Sequence, residues 1–230
     1  PGDLVVRAVR LAAGEQPMIL RIANEIPRSR GLGSSSAVTT ALAAAAMRAS
    51  GVEPTDRRLF ELVTELEGHP DNAAATVHGG LVIAYDGIVR RLDLAPELRL
   101  VLAVPDGRLS THEARAALPE SVGHMVAARS VARMGMLVEG LRTADPALLD
   151  KATGDELHEL PRQALSPITG RLIEAARASG ALHAAWSGAG PTVIAFTTDA
   201  TRSSVVAGLA AVLDGAGVTM TPNAAERGWR

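Results

Sequence analysis

The stretch from Pro27 to Thr40 reads PRSRGLGSSSAVTT and decides how the first half of the chain is interpreted. Its glycines lie between Met18–Ile26, whose apolar spacing predicts a strand, and Ala37–Ser50, whose small residues predict a buried helix. Paired glycines let successive backbone N–H groups point into one concavity, and the start of a helix adds a positive partial charge. The stretch therefore suits an anion such as phosphate, with serine hydroxyls beside it.

Two other interpretations of this stretch stay open on local evidence. Glycine and serine are typical of flexible linkers, and serine is preferred at helix N-termini, so a plain strand–helix turn capped by serine also fits. No Lys-Ser or Lys-Thr pair follows the glycines, which excludes a Walker-type P-loop. The rest of the chain has to decide among these interpretations.

A second polar stretch, EGHPDN, covers Glu67 to Asn72. It follows a well-signalled helix that Thr55 can cap and that carries a stripe of leucines. Two carboxylates, an imidazole and an amide in one tight loop suit the recognition of a small polar substrate, or a metal ion. The alternative is that Asp71 or Asn72 caps the next helix while His69 fills the turn.

The third stretch, SGAGPT, covers Ser187 to Thr192 between two short apolar segments that predict strands. A hairpin turn explains it without any function. Further polar residues are spread over the second half of the chain, and each has an alternative as a solvated or helix-ending side chain: Thr111, His112, Arg115, His158 and Arg162.

Composition narrows the classes of function. Of 230 residues, 47% are apolar but only 2% are aromatic, so alanine, valine and leucine must form the core. A net charge of -2 without a run of lysine or arginine argues against nucleic-acid binding. The absence of cysteine excludes disulfides, zinc–thiolate sites and thiol catalysis, and it fits a cytoplasmic location. No apolar run reaches membrane-spanning length, so we expect no membrane partner.

The pattern of predicted elements changes near Pro105, which predicts an N-terminal domain over 1–105 and a C-terminal domain over 106–230. Before this point the spacing predicts helices over Asp3–Gly14 and Pro54–Gly68, and strands over Ile88–Leu94 and Leu98–Pro105. After it the chain is predicted to be largely helical, over Thr111–Leu118, Gly123–Thr143, Pro146–Gly154 and Ile168–Gly180. A last amphipathic helix precedes a closing edge strand that begins near Val218.

Together and in this order, the three stretches resemble the three motifs of the GHMP small-molecule kinases, which include galactokinase, homoserine kinase, mevalonate kinase and phosphomevalonate kinase. PRSRGLGSSSA is similar to the family's phosphate loop, and SGAGPT is similar to its C-terminal glycine motif. EGHPDN followed by Gly79-Gly80 resembles the homoserine kinases in particular, as do STHEARAALP and the Pro161-Arg162 pair. The resemblance covers nearly the whole chain, from about Asp3 to Phe196.

The resemblance implies an α+β, two-domain GHMP kinase fold. Its N-terminal domain is similar to ribosomal protein S5, and its C-terminal domain is a ferredoxin-like α/β sandwich. The family also carries an earlier Pro-x-x-x-Asn-Leu-Gly-x-Gly-Phe-Asp motif that nothing here matches. We therefore expect the N-terminal domain to be partial, with several tens of residues missing before Pro1.

The resemblance further implies ATP-dependent phosphorylation of the side-chain hydroxyl of L-homoserine, giving O-phospho-L-homoserine on the route to threonine, with ATP and Mg²⁺. The residues it assigns to the nucleotide are Pro27, Arg30, Gly31, Leu32, Gly33, Ser34, Ser35 and Ser36. Ser36 and Glu67 are the expected metal ligands, and Glu65 on the same predicted helix is the rival carboxylate.

The resemblance places the substrate on eight residues: His69, Asp71, Asn72, Thr111, Arg115, Arg162, Gly188 and Gly190. Asp71 matches the amino group of homoserine by charge, and the guanidinium groups of Arg115 and Arg162 suit its carboxylate. The need for a general base stays open. Asp71 and Asn72 are the nearest candidates, and Ser35 joins them as a candidate catalytic residue.

Two alternatives to homoserine phosphorylation stay open. One is another GHMP kinase, of the threonine or mevalonate type. The other is a fragment that binds nucleotide or amino acid without turnover. The expected partner is the small-molecule substrate, a homodimer is compatible with the resemblance, and neither nucleic acid nor a membrane is expected.

Overall fold

The computed structural model describes residues 2–229 and contains helices and strands in mixed order. The helices are α1 Gly2–Ala13, α2 Ser34–Ala49, α3 Asp56–Glu67, α4 Asp71–His78, α5 Thr111–Ala116, α6 His124–Thr143, α7 Pro146–Lys151, α8 Glu159–Arg162, α9 Pro167–Ala178 and α10 Arg202–Leu213. The strands are β1 Leu81–Tyr85, β2 Ile88–Leu92, β3 Arg99–Pro105, β4 His183–Trp186, β5 Val193–Thr197 and β6 Gly217–Met220.

The described chain divides into two compact units, each with its own core. The first takes the residues up to Ile26, then Gly33–Asp93, and finally the tail from Ala224. The second takes Pro27–Leu32 and Leu94–Asn223. The phosphate-loop stretch therefore passes from the second unit into the first at Gly33. The domain boundary at Pro105 stays a prediction.

Helices form most of the first unit. Small residues along α2 let its neighbours approach closely, and Met47, Leu59 and Val63 are fully buried among them. A hairpin of β1 and β2 is antiparallel, with Leu81 paired to Leu92 at its open end. Its turn, Asp86-Gly87, has positive φ angles of 46° and 75°, as tight hairpin turns of this type require. The core is built from alanine, valine and leucine, as the composition predicts.

The predicted strand over Met18–Ile26 is wrong. The segment runs without regular secondary structure and pairs with no strand among residues 2–229. Leu20 packs against the core, whereas Ile19 and Ile22 are exposed. A strand needs a hydrogen-bonded neighbour as well as an alternating pattern, and the pattern alone does not report one.

The second unit is built on an antiparallel sheet with the order β4-β5-β3-β6. β3 lies inside the sheet, and its residues Val101, Ala103 and Val104 are fully buried, as the prediction of a buried strand requires. α9 and α10 contribute Leu172 and Leu209 to the same core. β6 pairs only with β3 and closes one edge of the sheet, which confirms the predicted edge strand.

Candidate active site

The glycines of the first stretch hold left-handed backbone conformations. Gly31 has a φ of 75° and Gly33 a φ of 68°, and Gly33 is the N-cap residue of α2. A glycine has no side chain to cap the helix, and no side-chain hydrogen bond caps this N-terminus. The serine-capped turn is therefore not what forms here. The first N–H groups of a sixteen-residue helix, with the positive end of its dipole, instead point out at the loop.

The serines that follow Gly33 differ in their surroundings. Ser34 is buried, and its hydroxyl accepts a hydrogen bond from the Asn24 side-chain nitrogen at 2.9 Å. Ser36 is fully buried, and its hydroxyl donates to Oε2 of Glu67. Ser35 is exposed between them. Two of the hydroxyls are thus fixed by side chains that lie 10 and 31 residues away in the chain.

Glu67 is the last residue of α3, and Gly68 ends the helix with a φ of 78°. One carboxylate oxygen accepts from Ser36, while the other, Oε1, is buried without a hydrogen-bond partner. An unpaired buried carboxylate oxygen is costly unless a cation or a donor meets it. Glu65, two residues earlier, is exposed.

The donor set fits Mg²⁺, which usually takes one or two carboxylates and completes its shell with substrate phosphates and water. Ser36 and Glu67 supply hard oxygen ligands next to the N-terminus of α2. A cluster of three or more acidic or histidine side chains is absent from residues 2–229, so a metal cage made by protein alone is not present there.

The EGHPDN loop joins α3 to α4. His69 Nδ1 lies 2.5 Å from Asp71 Oδ1, and the same oxygen accepts the backbone N–H of Asn72 at 2.6 Å. α4 begins at Asp71 with Pro70 as its N-cap residue, so neither Asp71 nor Asn72 takes the N-cap position, although the Asp71 carboxylate does accept one N–H of the first turn. Asn72 Oδ1 lies 3.9 Å from where a Cβ at Gly33 would stand, which brings this amide beside the start of α2.

The other half of the phosphate loop, Pro27–Leu32, is fixed within the second unit. Arg30 donates to the carbonyl oxygen of Asp106 at 2.7 Å, and the N–H of Leu109 donates to the carbonyl of Ser29 at 3.0 Å. Pro27 and Leu32 are half-buried in the same segment. The described contacts of Arg30 therefore hold the loop itself.

Gly31 and the SGAGPT loop touch backbone to backbone. The Ser187 hydroxyl donates to the Gly31 carbonyl at 2.8 Å, and a Cβ at Gly31 would lie only 1.9 Å from the Ser187 carbonyl oxygen. A Cβ at Gly190 would lie 2.3 Å from the Trp186 ring. The loop does connect the paired strands β4 and β5, so the hairpin interpretation is right as far as it goes. Its glycines also let two backbone segments meet.

Arg162 ends the short helix α8 and is buried. Its Nε donates to the carbonyl of Ala114 at 3.0 Å, and its Nη1 donates to the carbonyl of Gly188 at 3.3 Å. Burial, and to a lesser extent the charge of Arg115, lower the pKa of the Arg162 guanidinium. Two arginines close enough to repel each other favour an anion beside them. One of the contacts does reach the last turn of α5, as the helix-ending alternative for Arg162 allows.

Thr111 and Arg115 lie one turn apart on α5, and both are exposed. The helix starts with a capping box in which Ser110 and Glu113 bond each other's backbone N–H, so its first turn is firmly fixed. The predicted substrate residues thus form two groups. His69, Asp71 and Asn72 lie together in the first unit, and Arg115, Arg162 and Gly188 lie together in the second.

Three polar residues in contact with these groups escaped the sequence analysis: Asn24, Glu159 and Ser187. Asn24 was readable as a lone amide in an apolar segment. Ser187 is the first residue of the SGAGPT motif. Glu159 stands three positions before Arg162, a spacing that places both on one face of a helix. None of the helices within residues 2–229 is long and apolar enough to cross a membrane.

Comparison with known proteins defines the class. The GHMP kinases N terminal domain family matches residues 3–80, and the GHMP kinases C terminal family matches residues 137–215. A crystal structure of homoserine kinase from Cytophaga hutchinsonii superimposes with a TM-score of 0.80 at 25% identity, over 89% of this chain and 69% of that one. Mevalonate kinase from Methanococcus jannaschii superimposes with a TM-score of 0.70 at 16% identity, over 95% and 74%, and so shares the fold. The mixed α/β architecture is that of the GHMP kinases.

Curated relatives narrow the class further. Homoserine kinase from Mycobacterium ulcerans is 42% identical over 213 residues, which are 85% of this chain and 67% of the relative. Homoserine kinase from Streptomyces avermitilis is 42% identical over 214 residues, or 88% and 70%. The chain belongs to the homoserine kinase family of GHMP kinases, and it spans about two thirds of the length of these relatives.

Proposed function

We propose that the protein transfers the γ-phosphoryl group of ATP to the side-chain hydroxyl of L-homoserine, giving O-phospho-L-homoserine. Family membership at about 42% identity supports the reaction. The observation that carries the proposal furthest is the pairing of Ser36 with Glu67 beside the glycine-capped start of α2, because Oε1 of that carboxylate is buried and unpaired. Such a group suits a phosphate-bound cation.

The triphosphate of ATP would bind to the backbone N–H groups from Gly31 to Ser36. The positive end of α2 favours an anion there, and glycines leave room for its oxygens. Ser34 and Ser35 would add hydroxyl donors. In this proposal Arg30 acts indirectly, because it donates to the Asp106 carbonyl and so supports the loop.

Ser36 and Glu67 would hold Mg²⁺, in preference to Glu65. The support is geometric, since Glu65 is exposed whereas Glu67 Oε1 is buried and Glu67 Oε2 contacts Ser36. When bound, the ion supplies neutralisation of the charge that spreads over the transferring phosphoryl oxygens.

The acceptor would be held by its charged groups. Arg115 and Arg162 would bind its carboxylate, because guanidinium groups match carboxylates in shape and charge. Two donors of Arg162 already meet the carbonyls of Ala114 and Gly188, so these contacts fix the direction in which the remaining N–H groups point. Asp71 would pair with the amino group, and Thr111 would lie beside Arg115.

Positioning of the reactants supplies most of the catalysis in phosphoryl transfer, so the reaction requires no dedicated base. The homoserine hydroxyl oxygen forms the new bond to phosphorus while the bond to the departing ADP oxygen breaks, and the hydroxyl proton passes to a phosphate oxygen or to solvent. Asn72 and His69 would orient the acceptor from the EGHPDN loop. Asp71 remains the nearest proton acceptor, although Oδ1 already accepts from His69 and from the Asn72 backbone.

A coupled assay of ADP release tests the proposal. The purified chain is incubated with Mg·ATP and, in separate reactions, L-homoserine, L-threonine or mevalonate. We expect turnover with homoserine, and preferential turnover with either other alcohol would contradict it. Isothermal titration of Mg·ATP and of homoserine in the same preparation identifies the non-catalytic alternative, in which both ligands bind and no ADP appears.

A further inference from the structure

The single turn of α8 contacts the backbone on both sides of Ser187, the first residue of the SGAGPT loop. Its first residue, Glu159, accepts the backbone N–H of Trp186 at 3.3 Å through Oε1. Its last residue, Arg162, donates to the backbone carbonyl of Gly188 at 3.3 Å. Glu159 and Arg162, three positions apart, therefore form hydrogen bonds with the two residues that flank Ser187.

We propose that Glu159 is a positioning residue for phosphoryl transfer, acting with Arg162 to fix Trp186–Gly188 and, through Ser187, the Gly31 end of the phosphate loop. This inference rests on the proposed function and adds a residue that the family motifs do not assign. Glu159 itself is proposed to touch neither ATP nor homoserine. It acts through the backbone that the SGAGPT loop presents.

The contact with Gly31 makes the loop position matter for ATP. The Ser187 hydroxyl donates to the Gly31 carbonyl, and the space for a Cβ at Gly31 is closed by Ser187 and Gly190 backbone atoms. Backbone atoms in van der Waals contact cannot move independently, because close-packed groups transmit displacement. A shift at Trp186 or Gly188 therefore reaches Gly31, whose N–H is one of those that would bind the triphosphate.

Glu159 can act this way only when it is ionised. Its second oxygen, Oε2, accepts the backbone N–H of Asp155 at 3.2 Å, so both oxygens serve as acceptors. Protonation turns one of them into a donor that faces an N–H group. Burial raises the pKa of Glu159, and the charged groups facing it, His158 and Asp155, act in opposite directions and less strongly. The hydrogen bonds that Glu159 accepts should therefore weaken as the pH falls through its pKa, which lies above that of an ordinary glutamate.

Glu156, three residues earlier, shows what a purely structural carboxylate does in the same segment. It pairs with Arg129 and Arg133 on α6 at 2.7 Å each, and these hydrogen bonds lower its pKa to about 2. Folding therefore favours ionised Glu156 but disfavours ionised Glu159. A carboxylate that has to be ionised to accept two N–H groups, although burial disfavours its ionised form, suits a role in geometry more than one in stability.

Glu159→Gln is the test variant and Glu156→Gln its matched control. Glutamine at 159 keeps one acceptor oxygen but turns an NH₂ group toward the other N–H. We expect kcat for ADP release with homoserine to fall about tenfold, equivalent to about 1.4 kcal/mol of barrier, and the acidic limb of the pH profile due to Glu159 to disappear. Glu156→Gln should lower the melting temperature and leave kcat and the limb unchanged.

A measurement on the unaltered protein covers the case in which Glu159→Gln folds poorly. In isotope-labelled protein, the NMR chemical shift of the Trp186 backbone amide should follow the ionisation of Glu159. It should therefore change with pH with an apparent pKa above the range of ordinary glutamates. A Trp186 amide that does not titrate in this way overturns the inference, and so does Glu159→Gln with wild-type kcat and pH profile. If wild-type protein releases no ADP with homoserine, the proposed function fails instead, and the amide titration still decides whether Glu159 holds the loop.

Discussion

The two glycine-rich loops keep their shapes by different means. Around the start of α2, long-range side-chain contacts fix the hydroxyls, since Asn24 holds Ser34 and Glu67 holds Ser36. At the SGAGPT loop, backbone atoms of Gly31 and Ser187 pack directly on each other. A side-chain substitution should therefore perturb the start of α2 locally, whereas a single methyl group added at Gly31 should disrupt the contact between Gly31 and the SGAGPT loop.

The largest effect is expected for Gly31→Ala. Its Cβ would stand 1.9 Å from the Ser187 carbonyl oxygen and 2.8 Å from the Gly190 nitrogen, at a φ of 75°. Left-handed strain of about 1–2 kcal/mol adds to about 1–3 kcal/mol of overpacking, so we expect a loss of about 3 kcal/mol in the free energy of unfolding. Because the added methyl group displaces the phosphate loop at Gly31, kcat for ADP release should fall about a hundredfold. This fall is equivalent to a barrier higher by about 2.7 kcal/mol.

Gly33→Ala is the control that isolates the clash. Its φ of 68° is similar, but the nearest atom to its Cβ is Asn72 Oδ1 at 3.9 Å. Backbone strain alone should cost about 1–2 kcal/mol. Urea unfolding of both variants measures the difference, and equal destabilisation would show that the backbone contact at Gly31 contributes nothing.

Arg162→Leu should come next. The change removes a proposed ligand of the substrate carboxylate and leaves the carbonyls of Ala114 and Gly188 without their donor. A loss of about 2 kcal/mol corresponds to a rise of about thirtyfold in the KM for homoserine. The KM for ATP should rise less, because Arg162 reaches the phosphate loop only indirectly, through Gly188 and Ser187. Initial rates at varied concentrations of each substrate give both constants.

Arg142→Leu serves as the control for the arginine change. Arg142 pairs with Glu139 on the exposed side of α6, so its removal should leave both KM values alone. If Arg162→Leu raises the two KM values equally, Arg162 does not belong to the homoserine site.

Glu67→Gln should have a smaller effect, which is confined to the dependence of activity on Mg²⁺. An amide keeps the size of the side chain but removes the charge that would meet Mg²⁺, so the magnesium concentration for half-maximal rate should rise about tenfold. A titration of activity with Mg²⁺ at saturating ATP measures it. Glu65→Gln is the matched control, because Glu65 lies on the same helix and is exposed. An unchanged titration for Glu67→Gln with a shifted one for Glu65→Gln would transfer the role.

Helix α3 and the glycine-rich stretches differ in how far the sequence predicts their structure. Helix α3 was readable in full, because the Thr55 cap, the leucine stripe and Gly68 are local signals. The glycine stretches were readable as motifs, but the alternatives for each could be tested only in three dimensions. The N-cap residue is Gly33 at α2 and Pro70 at α4, and neither residue is one that the capping alternatives name. The sequence did not reveal which residue would take each N-cap position.

Contacts between distant residues are where sequence reasoning ends. Met18–Ile26 has the alternation of a strand, but pairing depends on a neighbour that lies elsewhere in the chain. Arg162 bonds to Ala114 and Gly188, which are 48 and 26 residues away, and only the folded second unit shows that one guanidinium reaches both. The roles assigned to the site residues stay predictions. The geometry determines which substitutions test them.

Asn24→Ala should give the smallest effect and the finest test of the first loop. The amide orientation is fixed because Oδ1 accepts the Ile26 N–H at 3.1 Å, so Nδ2 donates to Ser34 at 2.9 Å. A hydroxyl that accepts this bond directs its own proton toward another acceptor, which in the proposed complex is a phosphate oxygen. Losing one such bond, about 1 kcal/mol, should raise the KM for ATP about fivefold and leave the KM for homoserine unchanged.

Ser34→Ala and the double variant complete this test as a cycle. If Asn24 acts only by orienting Ser34, each single change should raise the KM for ATP by a similar factor, and the double change should add nothing further. Additive effects would mean that Asn24 and Ser34 contribute separately, and that the first loop does not depend on long-range side-chain contacts as its geometry suggests. The cycle therefore probes the feature that distinguishes the first loop from the backbone-packed loop at Ser187.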